Sequence, residues 1–86
     1  MITREDGAAK LKNYLHHRIK LEDLVEWAEE AMQEEEFEEA NFEAVRHVIA
    51  RLGVADVRVF GLSWEDCEEL LAHLGYRAKV EVYESN

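Results

Sequence analysis

The side chains able to do chemistry in this 86-residue chain are one cysteine, four histidines and twenty carboxylates. Cys67 and His73 are six residues apart, a spacing that turns them well away from each other on a helix and makes a poor nucleophile and base pair. A reactive thiol also needs an exposed, electropositive setting, whereas Glu65, Asp66, Glu68 and Glu69 surround Cys67 in sequence. The cysteine therefore reads as a small buried hydrophobe. His16 and His17 are adjacent, so on a helix they point about 100° apart and do not readily share an ion; they suit a helix C-terminus, where positive-leaning groups are favoured. His47, four residues after Glu43, reads as a surface hydrogen bond or ion pair rather than as half of a metal or catalytic site. With one cysteine no familiar zinc spacing can be completed, and glycine-rich phosphate loops, HExxH, calcium-loop and GxSxG patterns are absent. No enzyme activity and no cofactor are expected.

The carboxylates are unevenly placed. Residues 21–43 carry eleven of them and no lysine or arginine, a formal charge of −11, against +3 for residues 1–20 and −2 for residues 44–86. Within this stretch Leu21, Leu24, Val25, Ala28, Ala31 and Met32 recur at three and four residues, the period that stacks side chains on one helical face. The opposite face carries like-charged i,i+4 pairs: Glu22/Glu26, Glu26/Glu30, Glu30/Glu34, Glu34/Glu38, Glu35/Glu39 and Glu39/Glu43. Each costs a few tenths of a kcal/mol in a continuous helix, about 1–3 kcal/mol together. That strain predicts a helix stopping near Gln33–Glu36 and a second starting around Glu38–Asn41.

A chain of this length forms one domain, residues 1–86, with one modest core. The 48% hydrophobic content, two Trp, three Tyr, three Phe and absence of Pro argue for a folded domain rather than an acidic disordered tail. No charged segment followed by a hydrophobic run succeeds Met1, no apolar stretch approaches the length of a membrane span, and one cysteine closes no intrachain disulfide. A cytoplasmic location is expected. A net charge of −10 and a pI near 4.7 oppose approach to a polyphosphate backbone, so direct nucleic-acid binding is not expected.

These residues are positioned by elements that can be read in order. Thr3 and Asp6 have capping-box spacing at the start of a first helix, from Arg4 to His16 or Arg18, with Ala8, Leu11, Tyr14, Leu15 and Ile19 inward. Its Lys10 and Lys12, with Arg18 and Lys20, are placed to neutralise part of the acidic second helix. In the third helix Phe42, Val45, Val48, Ile49 and Leu52 form the stripe, Asn41 the N-cap and Gly53 a left-handed C-cap. Residues 57–60 suggest a short strand, although Val57 and Phe60 also fit a helical turn. Ser63 and Asp66 give a second capping box for a fourth helix from Trp64 to Leu74, on a Cys67, Leu70, Leu71, Leu74 stripe closed by Gly75. Tyr76 to Tyr83 alternates as a strand. With 57–60 it would complete a parallel strand-helix-strand unit, and without it the natural mate is the same strand of a second copy. The expected fold class is α+β, predominantly helical: three N-terminal helices followed by that small unit.

The functional expectation is an acidic protein-interaction module for a basic partner, of antitoxin, immunity or regulatory type, with Glu26, Trp27, Glu29, Glu30, Glu34, Glu35 and Glu38 as its surface. Trp27, one position off the apolar stripe, fits the edge of the core, a homo-oligomer contact or a partner hot spot. Two alternatives are a homodimer formed through the C-terminal strand or the Trp27 region, and a small divalent-metal protein or enzyme using the glutamate cluster and His47.

Overall fold

The computed structural model describes residues 1–34, 36–57, 61–82 and 84. It is an all-α four-helix bundle: α1 (Arg4–Leu15), α2 (Leu21–Glu34), α3 (Phe42–Leu52) and α4 (Trp64–His73). Both capping boxes form. The Thr3 Oγ1 accepts the Asp6 N–H while an Asp6 carboxylate oxygen accepts the Thr3 N–H, and Ser63 and Asp66 repeat the exchange at α4. Two of the orphan donors at each helix start are thereby satisfied locally. At α2, where Lys20 offers no capping side chain, Asp23 Oδ2 accepts the Lys20 N–H at 3.0 Å, half of the same device.

The inward stripes meet in one core. Leu11, Leu24, Val45, Val48, Ile49, Leu52 and Cys67 are fully buried, and Ala28, Ala31, Phe37, Leu70, Leu71 and Leu74 complete the cluster. α2 and α3 share the largest interface, and α1 packs across α2, α3 and α4. The α1/α4 contact is close because Gly7 is buried there; a Cβ at this position would stand 3.1 Å from Leu74 Cδ1. Beyond α4 the chain turns at Gly75, whose φ of +88° is the left-handed conformation that glycine adopts without penalty.

The strand-helix-strand unit does not form, and the α+β expectation is corrected to all-α. Among the described residues no β-strand is present; the only β pairing is an isolated parallel bridge between Ile2 and Phe37. Burial alternates over residues 76–79, Tyr76 and Ala78 half-buried and Arg77 and Lys79 exposed, but Val80, Glu81 and Val82 are all exposed, and no backbone hydrogen bond joins residues 77–82 to another described residue. A period of two marks which side chains can share a face; a strand exists only when a second backbone completes the ladder. Of the other candidate strand, 58–60 lies outside the described residues, and Val57 follows a turn, its N–H donating to the Val54 carbonyl at 3.0 Å.

Two local expectations also change. Gly53 is right-handed (φ −64°, ψ −16°), so α3 runs into the 53–56 turn instead of a left-handed cap, and Ala55 is buried from that turn. Asn41 makes no side-chain cap; its Nδ2 donates instead to Glu38 Oε1 at 3.0 Å. Phe37 is a core residue that periodicity did not mark. It enters the cluster 8% exposed, edge-on to Phe42 at 5.8 Å between ring centroids.

Candidate functional site

The burial of Leu24, Val25, Ala28 and Ala31 against the core leaves the other side of α2 in solvent, and it is built of Glu22, Asp23, Glu26, Glu29, Glu30, Gln33 and Glu34, all exposed. Glu22, Glu26, Glu30 and Glu34 form an unbroken i,i+4 row of like charge. Ending α2 at Glu34 removes Glu34/Glu38 and Glu39/Glu43 from any common helix, as the charge pattern predicted. The row still ends badly in electrostatic terms. The last turn of α2 contains no basic residue, so Glu30 and Glu34 face the negative end of the helix dipole.

Among the described residues no cation answers this face with an ion pair. Among the described residues no ion pair joins any α2 carboxylate to Lys10, Lys12, Arg18 or Lys20; the ion pairs lie elsewhere, at Met1–Glu36 through the terminal ammonium, Arg4–Glu5, Arg51–Asp66 and Lys79–Glu81. Lys10 is used differently, its Nζ 5.6 Å from the centroid of the Trp27 ring. A cation over an indole face is attracted by the ring quadrupole, and the contact closes the seam between α1 and α2. Trp27 itself is half-buried and packed on the core.

The interaction residues expected from sequence thus separate into groups. Glu26, Glu29, Glu30 and Glu34 share the solvent face of α2, with Trp27 at its border. Glu38 sits half-buried in the turn after α2, where its Oε1 accepts both the Arg4 N–H and Asn41 Nδ2, each at 3.0 Å. Glu35 lies outside the described residues.

The remaining reactive side chains are distributed as follows. Cys67 is fully buried, and desolvation, reinforced by the Asp66 charge and opposed by Arg51, pushes its thiol up to about 11. It is thereby kept as an un-ionised thiol. Asp66 is held below the usual aspartate range, first by the Ser63 backbone N–H and then by the Ser63 hydroxyl. Arg51 Nη2 reaches Asp66 at 3.4 Å and the Gly61 carbonyl at 3.0 Å, tying α3 to the entry of α4. His16 caps α1 and His17 follows in a left-handed turn, φ 59°, both exposed.

Two features had no sequence signal. His47 meets His73 across α3 and α4, ring centroids 4.7 Å apart, a pairing of distant positions that only helix packing creates. Among the described residues no group of three or more His, Cys, Asp or Glu is arranged to hold a metal ion. The second feature is an open groove of about 790 Å³ between α1 and residues 76–81, with Ala8, Leu15, Trp64, Leu71, Tyr76 and Ala78 among its lining. Among the described residues no helix is long and apolar enough to cross a membrane. Comparison with protein-family models, with characterised proteins and with solved structures gives no match.

Proposed function

We propose that the chain is an acidic protein-interaction module that binds a basic partner through the solvent face of α2, in the manner of an antitoxin, immunity or regulatory protein that masks a cationic surface. The observation that carries this reading is the row Glu22, Glu26, Glu30 and Glu34, flanked by Glu29, with no cation of the described chain in salt-bridge reach and no basic residue in the last turn of α2. Packing does not require so many like charges there. Their mutual repulsion and the unfavourable dipole end are relieved when cations dock. Trp27 borders the patch as an aromatic edge, and Glu35 follows Glu34 in the acidic run of the sequence.

Binding of this kind gains association rate and specificity from charge complementarity and weakens with salt. The test is affinity capture with mass spectrometry, comparing the natural chain with a variant reversed to Lys at Glu29, Glu30, Glu34 and Glu35. Recovery of a basic protein at low salt by the natural chain alone is the expected result. Capture that is indifferent to the charge reversal, or no partner at low salt, would sink the proposal.

A further inference from the structure

Residues 76–82 follow α4 and the turn at Gly75, outside any helix or strand. The Tyr76 N–H is held by the Leu71 carbonyl at 2.9 Å, and beyond it no backbone group of residues 77–82 is hydrogen bonded to the backbone of another described residue. Tyr76 and Ala78 pack on the core, whereas Val80 and Val82 are 63% and 92% exposed. A row of open N–H and C=O groups carrying exposed valines is a template for another strand.

The side chains say which strand. Residues 78–82 read Ala-Lys-Val-Glu-Val, a sequence complementary to its own reversal about Val80. Antiparallel pairing of two copies with Val80 opposite Val80 sets Lys79 opposite Glu81 twice and Ala78 opposite Val82 twice. Every charged pair is of opposite sign and every apolar residue meets an apolar one, the arrangement that stabilises cross-strand pairs. A shift by two in either direction centres the pair on Lys79/Lys79 or Glu81/Glu81, and a parallel in-register pair sets both like-charged pairs side by side. A slip by one turns the charges onto the apolar face. The existing Lys79–Glu81 contact, 3.3 Å between exposed groups, is an intrachain version of the same attraction.

The surroundings suit a second strand. The groove beside this segment is apolar at Ala8, Leu15 and Trp64, and its charged lining mixes Lys12, Arg77 and Lys79 with Glu5 and Glu81; the acidic α2 face takes no part in it. We propose that residues 78–82 form an antiparallel two-stranded ribbon with the same segment of a second copy of this chain, in the register centred on Val80. The ribbon supplies a backbone partner that the described residues do not provide and carries Val82 of the second copy over the groove beside Ala78.

The test is sedimentation velocity on the full chain over a concentration series reaching about 1 mM, with the natural chain, Lys79→Glu, Glu81→Lys and an equimolar mixture of the two variants. Both substitutions are at exposed positions, and circular dichroism is to be run on each variant to check that it stays helical. The natural chain is expected to dimerise, and each variant alone to associate about tenfold more weakly or less. The mixture is expected to recover a dimer, because the carboxylate introduced at position 79 of one variant then faces the ammonium introduced at position 81 of the other. Four results would overturn the proposal: a natural chain monomeric throughout, single variants that dimerise like it, a mixture that stays monomeric, or stronger dimerisation by Glu81→Lys. That last outcome is what reduced net repulsion alone would produce.

Discussion

The Glu38 carboxylate accepts the backbone N–H of Arg4, 34 residues earlier, at 3.0 Å, and the same oxygen accepts Asn41 Nδ2. One acidic side chain thus satisfies an orphan donor at the start of α1 and orders the turn that launches α3. The neighbouring backbone adds to the clasp: the Glu38 N–H donates to the Ile2 carbonyl at 2.9 Å, completing the bridge that holds Phe37 in the core. Of the acidic residues between α2 and α3, Glu38 therefore has an architectural task of its own.

Replacing Glu38 by Ala removes a charged acceptor from a half-buried donor, which costs about 1–3 kcal/mol. Urea denaturation followed by circular dichroism should show that loss, and Glu38→Gln, which retains a carbonyl acceptor, should recover most of it. Equal stability of Glu38→Ala and the natural chain would show that the clasp contributes nothing.

Lys10 and Trp27 close the α1/α2 seam. Substitution of Lys10 by Met keeps the apolar stem and removes the cation, with an expected loss of about 0.5–1 kcal/mol. In a double-mutant cycle with Trp27→Leu that loss should disappear, because the cation then has no indole to face. A cycle with no coupling energy would assign the contact to packing of the lysine stem alone.

The Ser63/Asp66 box predicts a pH signature. Ser63→Ala should cost about 0.5–2 kcal/mol. Asp66 titrates below its ordinary value of 3.8 in the folded chain because Ser63 hydrogen bonds favour its charged form. Its contribution is therefore present above the unfolded value and lost as the pH falls through the lower folded one. The stability gap between the natural chain and Asp66→Asn should narrow as the pH is taken below 3.8, measured by denaturation at a series of pH values.

Cys67 has the opposite sign. Its thiol is raised to about 11 when folded, so the unfolded chain loses this proton first as the pH rises. The unfolded state then binds fewer protons, and stability falls between the unfolded cysteine value, about 8.5, and the folded one. Comparison with Cys67→Ala isolates this fall from other groups titrating in that range. At neutral pH a thiol reagent should label Cys67 only after denaturation, and rapid labelling of the native chain would contradict its burial.

What could be read from the sequence was what is decided within a few residues. The Ser/Thr and Asp spacings set the starts of α1 and α4, because a capping box closes over three positions. Most of each apolar stripe became buried or half-buried, because a 3.6-residue period is a property of the segment alone, but Phe42 at the start of α3 stays 43% exposed and Ile19 lies beyond the end of α1. α2 ends at Glu34, within the expected Gln33–Glu36 window. The groups that only the tertiary structure decided are those whose partners are distant in the chain. Phe37 is a lone aromatic in an acidic run until Ile2 pairs with it and Phe42 meets its ring. His47 finds His73, not Glu43, because α3 and α4 pack together. The Tyr76–Val82 alternation promises a strand, yet a strand is a relation between two backbones, and among the described residues none is hydrogen bonded to residues 77–82.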